Sequence, residues 1–114
     1  MALSLGMVTT DSTDPAPLAQ WWAERCGGEI VADHDGWFVI VKIPNGTLGF
    51  QKVADPTPGK NRLHLDLHVS GDLDESLRQF LAAGATLVGD RGDESFRWIT
   101  LADPQGNEFC IAGE

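Results

Sequence analysis

The spacing of apolar residues changes several times along the chain, and each change predicts an element. Residues 4–10 read as a strand, and Asp14-Pro15 then supplies a helix cap followed by a proline at the first helical position. Leu18, Trp21, Trp22 and Arg25 fall at helical spacing until Gly27-Gly28 ends the run. Residues 29–32, 37–43 and 48–53 follow as strands, joined through Asp35-Gly36 and Asn45-Gly46, both strong hairpin signals. After the turn-rich stretch 55–59, residues 62–69 predict a strand. Asp72 or Asp74 then caps a helix with Leu73, Leu77, Phe80 and Leu81 on its apolar face, closed by Gly84. Strands over 87–89, 96–102 and 108–112 complete the second half, so each half is predicted as βαβββ.

The halves also share sequence. Leu18-Ala19-Gln20-Trp21-Trp22-Ala23 aligns with Leu77-Arg78-Gln79-Phe80-Leu81-Ala82, and both copies run on to a matching turn, Pro44-Asn45-Gly46 and Pro104-Gln105-Gly106. Such a duplication predicts an α+β protein of two tandem βαβββ modules, residues 1–54 and 62–114, joined by a linker over 55–61. Each module is expected to be a mixed sheet with its helix on the outer side, and a ligand site is expected where the copies face each other.

Composition narrows the classes. A chain of 114 residues fits one ordinary domain that folds without staples. Cys26 and Cys110 are its only cysteines and lack zinc-type spacing, so they read as reduced thiols of a cytoplasmic protein. No apolar run approaches a spanning helix, which argues against a membrane. The formal charge of -9 argues against nucleic acid, since phosphate binding needs a basic footprint. Lys60-Asn61-Arg62 is a small basic island, either a solvated strand edge or a place for an anionic group.

The tandem layout, Trp21-Trp22 in the first helix and the run Asp103-Pro104-Gln105-Gly106-Asn107-Glu108-Phe109 together resemble the vicinal oxygen chelate superfamily. This is the group of glyoxalase I, bleomycin-resistance proteins, extradiol dioxygenases and fosfomycin-resistance transferases. Gly59-Lys60-Asn61-Arg62-Leu63-His64-Leu65-Asp66-Leu67 and the ending Gly106-Asn107-Glu108-Phe109-Cys110 are similar to small glyoxalase-like proteins common in actinobacteria. The resemblance covers essentially the whole chain. It implies that the paired units curl into a cup with metal ligands on the first and last strands of each unit.

By that resemblance the ligand positions fall on Met7, Gln51, His64 and Cys110, and only His64 keeps the usual ligand type. A hard or borderline divalent ion wants carboxylate, imidazole and water, so the departures imply no catalytic metal cofactor. Met7, His64 and Cys110 are also the soft set that copper prefers, although a blue-copper site asks for a second histidine. Met7 and Cys110 read equally as flexible or small apolar wall residues.

If His64 faces inward, period-two alternation puts Asp66 and His68 on the same face. Asp66 then orients an imidazole as a general base, or the three residues form a satisfied polar ladder. His34 lies in a hairpin and reads as solvated. The candidate ligand contacts are Met7, Trp37, Phe50, Gln51, His64, His68, Trp98 and Cys110, with the aromatic members serving equally well as core. A Cys110–His64 thiolate pair lacks anything to position an oxyanion hole, and no nucleophile elbow, P-loop or dinucleotide fingerprint is present. The expected function is binding of a small apolar or aromatic organic molecule. The alternatives are a metal-independent isomerase or lyase using His64 with Asp66, a metal-dependent glyoxalase-type lyase, or an interaction domain. Trp21 and Trp22 carry more apolar surface than one helix face hides, which predicts a homodimer.

Overall fold

The computed structural model describes residues 2–113. The chain divides into two compact units, Met1–Pro58 and Gly59–Glu114, each built on a four-stranded mixed sheet with a helix packed against it. The first unit runs β1 (Val8–Ser12), α1 (Pro15–Cys26), β2 (Glu29–Asp33), β3 (Phe38–Ile43) and β4 (Gly46–Lys52), in the sheet order β1-β4-β3-β2. β1 is parallel to β4, and the other pairs are antiparallel. Leu18, Ala19, Trp22 and Ala23 of α1 are buried with Val39, Val41, Leu48 and Phe50 of the sheet. Burial of large side chains of this kind stabilises a fold by about 1.5–3 kcal/mol each.

Local chemistry sets the boundaries. Asp14 stands at the cap position of α1, but its side chain makes no capping bond; its N–H donates instead to Ser12 Oγ at 2.9 Å. Gly27 ends the helix at φ 63, in the left-handed region where a Cβ is strained. Asp35 and Gly36 both take positive φ, as a type I′ turn requires, and Gly36 N–H donates to Asp33 Oδ1 at 2.7 Å.

The second unit runs β5 (Asp66–Val69), α2 (Leu73–Ala82), β6 (Thr86–Gly92), β7 (Arg97–Ala102) and β8 (Glu108–Gly113), in the sheet order β5-β8-β7-β6. Phe80 of α2 packs on Phe109, ring centroids 5.5 Å apart, beside buried Ile99, Leu101 and Ile111. Leu81, expected on the apolar face, is exposed. Of the two candidate caps it is Asp72 that accepts from Glu75 N–H, at 3.1 Å. Asp74 instead accepts from Arg97, which also holds Asp90, so one guanidinium ties α2 to β6 and β7.

Several boundaries differ from the sequence reading. β1 begins at Val8 rather than at residue 4, because its ladder with β4 starts at Leu48, while Gly46 and Thr47 pair only with β3. β3 begins at Phe38, leaving Trp37 in the turn, where its N–H donates to His34 O. β5 begins at Asp66 rather than at residue 62. Asn61 causes this: its side chain takes both backbone groups of Glu108, accepting from Glu108 N–H at 2.7 Å and donating to Glu108 O at 3.0 Å. The first ladder position of β8 is thereby occupied by a side chain instead of a strand. β6 reaches Gly92, beyond residue 89, because Asp93 closes the following turn by accepting from Ser95 and Phe96 N–H.

Candidate functional site

Alternation along β7 divides its side chains between two faces. Arg97, Ile99 and Leu101 point to the helix side, as the Arg97 bond to Asp74 of α2 requires. Trp98 and Thr100 therefore point to the other, helix-free side. The strand registers align one row across this face, Asp66–Cys110–Thr100–Gly89, and beside it a second, His68–Ala112–Trp98–Arg91.

Polar contacts run along the first row. Arg91 Nε donates to Thr100 Oγ1 at 3.1 Å, and Thr100 Oγ1 lies 3.4 Å from Cys110 Sγ. At the far edge, His64 Nδ1 lies 3.1 Å from Asp66 Oδ1. One donor atom from each of His64, Asp66 and Cys110 lies within 4.8 Å of the others. His64 holds this place although it precedes β5, because Asn61 Nδ2 also donates to Leu63 O at 2.6 Å and Cys110 N–H donates to Leu65 O at 2.9 Å. Phe96 and Trp98 stack at the other end, centroids 5.6 Å apart and planes 29° from parallel, with Phe96 58 % exposed.

The ligand positions implied by the resemblance hold one imidazole and no carboxylate, but Asp66, outside that set, brings a carboxylate beside His64 and Cys110, so these residues could hold a metal where none was expected. One nitrogen, one oxygen and one sulfur donor suit zinc, which accepts three protein ligands and an open fourth position. They suit Mn(II) poorly, since a thiolate is too soft for it. His68 lies on β5 and is exposed, outside the cluster.

The remaining candidates belong to the first unit. Met7 precedes β1, and its sulfur rests on Gly49, so close that a Cβ there would lie 2.9 Å from Sδ and 3.1 Å from Phe38 Cζ. Gln51 is exposed and pairs with Asp11 and Phe38 across the ladders. Phe50, expected as a ligand contact, is 2 % exposed and lies on the opposite face from Gly49, among the core residues. Trp37 is 63 % exposed, with the Lys52 ammonium 5.7 Å from its ring centroid. Gly89, Arg91, Phe96 and Thr100 were not singled out as site residues from sequence, and Asn61 was read only as part of a small basic island. The alternation Trp98-x-Thr100 on a predicted strand was the one available signal.

Residues 7–112 match the family model described as a glyoxalase-like domain. Among solved structures, a glyoxalase/bleomycin resistance protein/dioxygenase family enzyme from Burkholderia phytofirmans aligns at TM-score 0.81 and 20 % identity, covering 97 % of this chain and 98 % of that one. A mutant of the fosfomycin resistance protein FosX from Listeria monocytogenes, complexed with Mn(II) and 1S,2S-dihydroxypropylphosphonic acid, aligns at TM-score 0.83 and 15 % identity, covering 100 % and 93 %. TioX from Micromonospora aligns at 0.67 and 18 %, covering 96 % and 98 %. No curated protein matches the sequence. No helix among the described residues is long and apolar enough to cross a membrane.

Proposed function

From the premise that the chain belongs to the glyoxalase-like domain family of the vicinal oxygen chelate superfamily, we propose that it binds a small planar organic molecule on the helix-free sheet face of its second unit. The observation that carries this reading is the stacked Phe96–Trp98 pair beside the hydrogen-bonded row Arg91–Thr100–Cys110. Aromatic walls supply apolar contact, and a few convergent polar groups fix orientation. A thermal-shift screen of planar organic compounds tests it. A true ligand at 100 times its dissociation constant stabilises the fold by about 2.7 kcal/mol. That increment is expected in the wild type and lost in Trp98→Ala. Hits that stabilise both proteins equally would refute the reading.

The cluster of His64, Asp66 and Cys110 within 4.8 Å favours a second reading, an isomerase or lyase activity on the bound molecule. His64, oriented by its contact to Asp66, would take a proton from an acidic C–H or O–H placed beside it. If zinc is bound, His64, Asp66 and Cys110 would hold it, and it would supply Lewis-acid polarisation of a ligand oxygen. Turnover abolished by His64→Ala, with ligand binding retained, supports this second reading. Turnover unaffected by His64→Ala excludes it. Zinc titration of wild type and Cys110→Ser, read calorimetrically, separates the metal-dependent form from the metal-independent one.

A further inference from the structure

Arg91 is the cation of this face that no carboxylate neutralises. Arg25 pairs with Glu24, Arg78 with Glu75, and Arg97 with both Asp74 and Asp90, while Arg62, which precedes β5, has no carboxylate partner among the described residues either. Among the described residues no carboxylate oxygen lies within 4.0 Å of the Arg91 guanidinium, in a chain with seventeen acidic residues and eight basic ones. Its bond from Nε to Thr100 Oγ1 fixes the fork while leaving the two terminal nitrogens for another partner.

Gly89 makes room for that pose. A Cβ built at residue 89 would lie 2.8 Å from Arg91 Cζ, 3.0 Å from Nη2 and 3.2 Å from Nε, so the guanidinium lies back along its own strand over the bare glycine. Gly89 is not among the glycines with positive φ, so its backbone conformation does not call for glycine. The register shift between Leu87 and Gly89 loops out one residue of β6, which sets Gly89 opposite Thr100 and Arg91 opposite Trp98. Directly opposed residues in an antiparallel pair hold their Cβ atoms about 4.5–5.5 Å apart. The Arg91 and Trp98 side chains therefore start from opposed positions, the fork turning back along its strand toward Gly89 and Thr100, and Phe96 stacks on the indole.

We propose that Arg91, held over Gly89 and braced by Thr100, is the seat for the carboxylate of an aromatic acid whose ring packs against Trp98 and Phe96. The inference deepens the binding reading given above and rests on it. The two terminal guanidinium nitrogens match the two oxygens of a carboxylate, and a lysine in the same place would offer only a point charge. The net charge of -9 repels anions in general, so a local unpaired arginine on this face discriminates for an acid that also fits the aromatic pair.

The test uses two probes of equal shape, 4-hydroxybenzoate and 4-hydroxybenzamide, titrated calorimetrically at low salt into wild type, Arg91→Gln, Arg91→Lys, Gly89→Ala and Trp98→Ala. Circular dichroism establishes that each variant is folded. The acid is expected to bind wild type about tenfold tighter than the amide, as one charge-assisted contact allows. Arg91→Gln should erase that preference by weakening the acid far more than the amide, Arg91→Lys should keep part of it, and Gly89→Ala should reduce it although the arginine remains. Trp98→Ala should weaken both probes together. A preference for the acid that survives Arg91→Gln overturns the inference. Equal wild-type affinity for the two probes also overturns it, while leaving the binding reading intact if Trp98→Ala still weakens them. Failure of both probes to bind overturns the carboxylate seat, and the broader compound screen then decides the binding reading separately.

Discussion

Replacement of Asp103 should separate two grades of damage to the turn that carries β8 into the site. Asp103 is 2 % exposed, and its Oδ1 accepts from Gln105 N–H at 2.9 Å and from Asn107 N–H at 3.0 Å. Asn107 Nδ2 donates to Oδ1 at 3.1 Å and to Oδ2 at 3.0 Å. Asp103→Asn retains one carbonyl oxygen for the two backbone donors but sets its own amide against Asn107 Nδ2, a loss of about 1 kcal/mol. Asp103→Ala removes every side-chain acceptor and leaves partly buried donors with no acceptor in their place. At roughly 1–3 kcal/mol for each unsatisfied group, and allowing for water entry, the expected loss is about 3 kcal/mol. Urea unfolding followed by far-UV circular dichroism reads both values as shifts of midpoint at constant slope; with a slope of about 1–3 kcal/mol/M the alanine variant should move by roughly 1 M or more. Equal midpoints for the two variants, or an alanine variant within about 1 kcal/mol of wild type, would refute the argument that Oδ1 is the organising acceptor.

Hydrogen bonds from Arg97 hold the carboxyls of Asp74 and Asp90 below their ordinary value of 3.8. Stability from a depressed carboxylate is fully present above its unfolded pKa and is lost as pH falls through the folded one, so Arg97→Gln should flatten the acid limb below 3.8 and leave the neutral range unchanged in slope. An acid limb identical to wild type would contradict this. Asn61→Ala, which removes the clip to Glu108 and Leu63, should cost about 1–2 kcal/mol and speed hydrogen exchange at the Glu108 amide; unchanged exchange would show that the clip does not hold β8. We propose homodimerisation through the more exposed tryptophan of α1, Trp21, because Trp22 is 4 % exposed and already in the core. Trp21→Glu should then lower the mass measured by light scattering, whereas a wild-type mass of 12.3 kDa would exclude the dimer.

Much of the fold was legible because its signals were local. Gly27, Asp35-Gly36 and the Asp103-to-Asn107 turn each act through backbone conformation or a short side-chain bond, so residue type alone announces them. The pairing of His64 with Asp66 was likewise legible as two residues a step of two apart. The reason it holds was not, because His64 is placed by Asn61 reaching a residue 47 positions away. Arg91 meeting Thr100 depends on the register shift in β6, which no pattern within that strand discloses. Phe50 and Gln51 were both read as facing a ligand, yet adjacent strand residues point to opposite faces, and Phe50 went to the core.

The ladders also show what the duplication kept and what it changed. In the first unit, Thr9, Gly49 and Ile40 lie across β1, β4 and β3; in the second, Asp66, Cys110 and Thr100 lie across β5, β8 and β7 in the same arrangement, each row meeting the register shift of its outer strand. A hydroxyl opens the first row and a carboxylate the second. The third position holds the aliphatic Ile40 in the first unit and a hydroxyl in the second. An aliphatic side chain cannot pass a hydrogen bond onward, and Gly49 carries no side chain to offer one, so the first row stops being polar at its centre. Thr100 instead joins Cys110 on one side to Arg91 on the other, making the second row hydrogen-bonded from the third position outward. The divergence at these ladder positions gives the second unit a hydrogen-bonded row on this face and leaves the matching row of the first without one.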